Sequence, residues 1–215
     1  MLRRISLIAL LLAVALALPA SALALHVHVR VEGRTTTILG SAQPVVRPFT
    51  GTLVAADVSI ELSKPTALGA LEAASVRGEF FYRLVATSFG PYVAQVGRNG
   101  GSDASGWVFK VNGVSPPVGA DAFALKDGDV VLWYYATFGP SGGPATLDLV
   151  RLGGGCFRAD SLDDTGVRTP ARDVVFQLDD RRVGSATGRI CPAGHWHRVR
   201  ATKPGAVRSQ VVGPR

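Results

Sequence analysis

Two aromatic-rich runs, each bounded by a glycine-bearing turn, limit what this chain can fold into more than any other feature. The first is Gly106-Trp107-Val108-Phe109-Lys110-Val111-Asn112-Gly113. The second leaves the Asp127-Gly128-Asp129 turn as Val130-Val131-Leu132-Trp133-Tyr134-Tyr135. Neighbouring side chains on a strand point to opposite faces, so Trp107 shares a face with Phe109, and Trp133 with Tyr135. If the two runs pair, these four rings lie together, either as a core beneath a helix or as an exposed stacking platform. Rings of this size bury so much apolar area that core is the default. Tyr134 then points the opposite way from its neighbours, and an apolar ring with a polar tip suits a wet binding surface.

Elsewhere the pattern is short strands and one helix. Residues 25–31 alternate, with Leu25, Val27, Val29 and Val31 on one face and His26, His28 and Arg30 on the other. That is the signature of a half-buried strand. Gly33 turns the chain and residues 35–39 supply a β-branched partner, which predicts a hairpin. The Pro- and Thr-rich stretch 43–58 reads as loop with room for a short strand. Thr66 stands at an N-cap position, Leu68 and Leu71 share a helical face, and Gly78 closes a short helix. Apolar runs at 80–86, 92–96, 107–111 and 130–136 follow, separated by turn residues. Hairpin, helix and then several strands predict an α+β fold with a mixed sheet and one helix on its face.

Gly139-Pro140-Ser141-Gly142-Gly143-Pro144 marks a boundary of small residues and prolines. Beyond it, strand-like runs at 147–152, 174–178, 197–201 and 207–212 carry no helical period and predict a small all-β sandwich. The expected organisation is therefore a domain over 25–138, a linker over 139–145 and a sandwich over 146–215. Cys156 and Cys191 are the only cysteines. In an exported chain such a pair forms a disulfide, which a sandwich this small needs as a staple.

Export is indicated by the N-terminus. Arg3 and Arg4 precede an apolar run over 5–18, and small residues at 20–24 offer two overlapping cleavage patterns, ending at Ala22 or Ala24. The run is shorter than the roughly 20 residues a spanning helix needs. The expected protein is secreted or held in the cell envelope, without stable membrane insertion once the leader is removed. The formal charge is +7, and removing the leader lowers it by two. The remaining charge is mostly Arg, crowded towards the C-terminus. With no Lys/Arg run and no nucleic-acid motif it reads as a solubilising surface, and no nucleic-acid partner is expected.

The first domain resembles the transcobalamin-like C-terminal domain family, a β-grasp (ubiquitin-like) module. The resemblance is carried by Val29-Arg30-Val31-Glu32-Gly33, the helix beginning Thr66-Ala67-Leu68-Gly69-Ala70-Leu71, Gly90-Pro91-Tyr92-Val93, Gly106-Trp107 through Gly113, Pro117-Val118-Gly119-Ala120, and Asp127-Gly128-Asp129 leading into Trp133-Tyr134-Tyr135. It implies a module that closes over one face of cobalamin while a larger helical domain holds the other. This chain lacks the length and the helices for that second domain, so no cobalamin-contact residue is carried over by position. The C-terminal segment resembles bacterial Ig-like or carboxypeptidase-regulatory-like modules through Val174-Val175-Phe176-Gln177-Leu178-Asp179 and the stretch from Ala193 to Gly205. Such modules are spacers or adhesion elements.

Candidate chemistry is sparse. Gly139-Pro140-Ser141-Gly142-Gly143 matches G-x-S-x-G, but Pro144 and a strand follow where a nucleophile elbow needs a helix. The histidines form two H-x-H pairs, His26/His28 and His195/His197, with no third ligand at metal-site spacing. His197 alternates with Val199 and Ala201 and is expected to face the core. Asp160, Asp163 and Asp164 read as turn caps rather than a calcium loop. On the same alternation Trp196 faces outward with Arg198 and Arg200, an exposed ring among cations suited to a glycan or anionic polymer. The expected function is a non-enzymatic binding or cell-surface interaction protein without metal or cofactor, with Tyr134, Trp196, Arg198 and Arg200 as candidate ligand contacts. The alternative is binding or scavenging of a small planar ligand such as a corrinoid (cobalamin).

Overall fold

The computed structural model describes residues 25–40, 44–140 and 142–214. The expected leader and Ser141 lie outside the described residues. The chain runs through β1 (Val27–Glu32), β2 (Thr37–Leu39), β3 (Val45–Val46), β4 (Gly51–Ala55), β5 (Val58–Leu62), α1 (Ala67–Gly78), β6 (Tyr82–Thr87), β7 (Gly90–Val96), β8 (Asn99–Gly100), β9 (Ser105–Val111) and β10 (Val130–Thr137). The aromatic runs pair as expected. β9 and β10 are antiparallel, with Phe109 opposite Trp133 and Trp107 opposite Tyr135. The Phe109 and Trp133 rings stack with centroids 5.2 Å apart, and Trp107 meets Tyr135 edge-on at 5.9 Å. β1 lies parallel to β10 at the centre of the sheet order β2-β1-β10-β9.

Helix α1 covers the aromatic face. The Thr66 hydroxyl caps it by accepting from the Gly69 N–H at 3.1 Å, and Trp133 Nε1 donates to the Ala67 carbonyl at 3.2 Å. Gly69 is required by a close approach: a Cβ there would lie 2.2 Å from the Phe49 carbonyl oxygen. The helix ends one residue beyond the expected glycine stop, on Glu79 in the left-handed region (φ 51°). Leu68, Leu71, Ala74 and the β1 valines share a single buried core with Trp107 and Trp133. Residues 51–62, read in part as loop, form the β4–β5 hairpin. Its tight turn places Ala56 at φ 54°. With alanine where glycine or asparagine is favoured, the sequence gives no turn signal there.

The C-terminal residues form β11 (Thr146–Arg151), β12 (Phe157–Leu162), β13 (Arg168–Pro170), β14 (Val174–Leu178), β15 (Arg181–Ser185), β16 (Arg189–Ile190) and β17 (Val199–Thr202). β11, β12, β13 and β16 make one sheet, β15, β14 and β17 another, and Leu149, Phe157, Phe176 and Val199 fill a common core. Cys156 and Cys191 are disulfide-bonded. On the chain-entropy model, closing such a loop stabilises the fold by about 3–4 kcal/mol.

The second face of β1, expected to be solvated, is covered: Arg30 and Glu32 are buried. The C-terminal sheets pack across that face. Leu132, Tyr134, Ala136 and Val207 form a small apolar seam there, with Val108 against it. Beside the seam, the Glu32 carboxylate accepts from Arg30 at 3.2 Å, Arg200 at 3.1 Å, Arg208 at 2.7 Å and the Thr37 hydroxyl at 2.9 Å. Fully buried Lys110 donates from β9 to the Asp163 carbonyl at 2.7 Å and pairs with Asp164 at 3.3 Å. The mixed sheet is therefore covered on both sides.

Candidate functional site

An aromatic-lined cleft lies where β7 splays away from the free edge of β9. The two strands touch near Gly106. The Tyr92 hydroxyl crosses the edge and accepts the Trp107 N–H at 3.1 Å. A Cβ on residue 106 would sit 1.9 Å from that hydroxyl oxygen, so glycine is what lets the tyrosine cross. Away from this junction the strands part around a cleft of about 420 Å³, within the size range of small-ligand sites. Phe109, Trp133 and Tyr134 line it on the sheet side, and the segment from Ser115 to Ala120 closes one flank.

The rim is aromatic and exposed. Phe89 sits in the β6–β7 turn, where its N–H donates to the Thr87 hydroxyl at 3.2 Å and Gly90 adopts φ 106°. That turn leaves the Phe89 side chain 96% exposed, and Tyr92 and Phe138 are exposed beside the same opening. Isolated exposed apolar residues are ordinary, whereas here three exposed aromatic rings gather around one concavity. Asp164 is the one charged residue of the lining. Its Oδ1 meets Lys110 and the Ser115 hydroxyl, while Oδ2 accepts no hydrogen bond among the described residues.

The expected site residues are scattered. Tyr134 is buried to 2% exposure beneath the C-terminal sheets, with one edge forming the cleft floor. Burial, and less strongly the Asp164 charge, pushes its phenol up to about 12. Trp196 does not face outward: it packs on the C-terminal core, edge-on to Phe157 at 5.5 Å. Arg200 is held by Glu32 in the seam, and burial lowers its pKa. Arg198 is exposed, with its backbone N–H on Asp179 at 2.9 Å. His197 is exposed rather than in the core. The reversals at Trp196 and His197 share one cause. β17 begins only at Val199, so the alternation projected back over 196–198 has no strand to act on. Arg200 does point away from its own core, but that outer surface is the one docked on the mixed sheet.

A model of the family described as Domain of unknown function (DUF4430) matches residues 66–137. No curated protein matches the chain. The matched segment runs from the cap of α1 to the end of β10 and carries every lining residue of the cleft except Phe138 and Asp164.

Among the described residues no group of three or more His, Cys, Asp or Glu side chains could hold a metal ion, and no helix is long and apolar enough to cross a membrane. Asp163 is committed to its own turn, accepting from the Thr165 hydroxyl and from the Thr165 and Val167 N–H groups. Sequence reasoning missed Phe89 and Phe138 as rim residues. The turn residues around Phe89 were a usable signal, because an aromatic inside a two-residue hairpin turn has no core to enter.

Proposed function

We propose that this chain is an exported, non-enzymatic binding module whose ligand site is the aromatic cleft between β7 and β9. The observation that carries the reading is the convergence of Phe89, Tyr92 and Phe138, all exposed, on one concavity floored by Trp133 and Tyr134. The parallel β1–β10 pair crossed by α1 supports the β-grasp, transcobalamin-like reading of residues 25–138, and the two facing C-terminal sheets support an Ig-like module over 146–215. The disulfide fits passage through an oxidising compartment, in keeping with secretion or retention in the cell envelope.

A corrinoid is the second reading, favoured by the number of aromatic rings that line the cleft. It would have to rest against the rim, since a cleft of about 420 Å³ is at the lower end of sites for drug-sized molecules. The test is titration of the mature protein with Nile red and, separately, with cyanocobalamin, followed by tryptophan fluorescence. Two of the three tryptophans, Trp107 and Trp133, line the cleft. Nile red is expected to bind, and Phe89→Ala to weaken it about five- to tenfold with no change in thermal midpoint. Binding that is indifferent to Phe89→Ala and Phe138→Ala would sink the cleft as the site. An unchanged cobalamin spectrum removes the corrinoid reading alone.

A further inference from the structure

β9 is the last strand of its sheet, so one row of its main-chain groups faces away from β10. Groups alternate between partner and free edge along an antiparallel strand. Asn112 donates to Val130 and Ala104 accepts from Phe138, so the even-numbered residues of β9 face β10 and the odd-numbered ones face outward. Most of this outward row is closed. Ser105 exchanges both bonds with Ser102, Val111 exchanges both with Val114, and Tyr92 takes the Trp107 N–H. Among the described residues, the Trp107 carbonyl and both the N–H and carbonyl of Phe109 have no partner. Both residues that carry these groups line the cleft. An open strand edge is a template for another strand unless it is blocked. Here it is blocked at both ends and open for one short window between aromatic walls.

Resting on the cleft being the ligand site, we propose that its ligand is an extended peptide segment added to β9 as a further strand across Trp107–Phe109. A peptide residue opposite Phe109 exchanges two main-chain hydrogen bonds with it, and a third runs from the peptide to the Trp107 carbonyl. This is peptide recognition by strand addition, in which main-chain bonds give affinity and alternate side chains give specificity. One face of the peptide meets the Phe89, Tyr92 and Phe109 rings and should carry apolar side chains. The lining holds no basic residue, and Asp164 offers an unoccupied oxygen at 52% side-chain exposure. A Lys or Arg at the peptide end nearest Asp164 meets it, and an acidic residue there is disfavoured.

The probe is N-acetyl-Leu-Val-Leu-Arg-amide, titrated into the mature protein beside two analogues N-methylated at alternate amides and one with citrulline in place of Arg. One N-methyl analogue should bind about tenfold more weakly than the parent and the other about equally, because only one row of peptide amides faces β9. Citrulline should weaken binding about threefold or more. The Phe109 amide should become protected from hydrogen exchange on binding. If Nile red binds while the peptide does not, or both N-methyl analogues match the parent, strand addition fails and the cleft survives as a site for another ligand. If neither probe binds, both readings fall. Concentration-dependent dimerisation that protects Phe109 without peptide would assign the edge to a second copy and overturn the peptide.

Discussion

Tyr134 is neutral in a place where its ionised form would be costly, so its titration reports directly on the packing of the C-terminal sheets. Its folded pKa lies near 12, against 10.0 for an ordinary phenol. A group raised in the folded state contributes stability that is whole below its unfolded pKa and is lost as pH climbs through the folded one. Tyr82 is shifted in the same direction, by burial and then by its hydrogen bond to Glu72. Tyr135 is shifted downward, first by the Ser105 hydroxyl on its oxygen and further by Arg34. Buried Lys110, beside Tyr134 and Asp164, is lowered by burial and acts with the opposite sign below its ordinary 10.5. Followed by phenolate absorbance, Tyr135 should ionise first, and Tyr82 and Tyr134 only as the protein unfolds. Urea midpoints should fall from pH 10 towards 12, and Tyr134→Phe should make that slope shallower, with Tyr82 keeping the remainder. A midpoint equally pH-dependent in Tyr134→Phe would contradict the assignment.

At the scale of elements, the junction of β7 with β9 decides whether the cleft exists. Gly106→Ala would set a methyl against the Tyr92 hydroxyl oxygen, forcing the ring off and leaving the Trp107 N–H unpaired. Expected destabilisation is about 1–3 kcal/mol. Tyr92→Phe removes the oxygen that the methyl strikes but keeps the ring, so the double variant should be destabilised by less than the sum of the singles. Additive losses measured by denaturant unfolding would mean that the glycine acts through something other than this crossing. The same elements show what could be read from sequence. The β9–β10 pairing, the helix cap at Thr66 and the disulfide were legible because each is a local pattern or a forced pairing. The cleft was not, because it arises from the divergence of two strands of different sheets, which no periodicity encodes. The mixed sheet's second face was misread for a similar reason. Alternation tells which residues share a face but not whether another part of the chain covers it, so for Arg30, Tyr134 and Arg200 it predicts solvent where the structure has a packed seam.

For the whole molecule, that covered face couples the two halves of the chain. Three arginines converge on Glu32, itself 1% exposed, and two of them, Arg200 and Arg208, come from the C-terminal half. A buried ion pair is weak evidence of net stabilisation, yet removing one partner strands the others without compensation. Glu32→Gln keeps the volume and deletes the charge, leaving Arg30, Arg200 and Arg208 to repel one another. The expected loss is about 3–5 kcal/mol, concentrated at the seam. No residue of the C-terminal core and neither cysteine bonds to the carboxylate, so the C-terminal sheets should keep their own stability. Unfolding followed by tryptophan fluorescence distinguishes the halves, since Trp107 and Trp133 sit in one core and Trp196 against the other. The unaltered protein should unfold in one transition. Glu32→Gln should show two, with the tryptophan pair of the mixed sheet reporting first, because that sheet loses the cover over Leu132, Tyr134 and Ala136. A single transition shifted by less than about 1 kcal/mol, as for an exposed pair, would show that the apolar seam and Lys110 suffice to hold the halves together and that the arginine cluster contributes little.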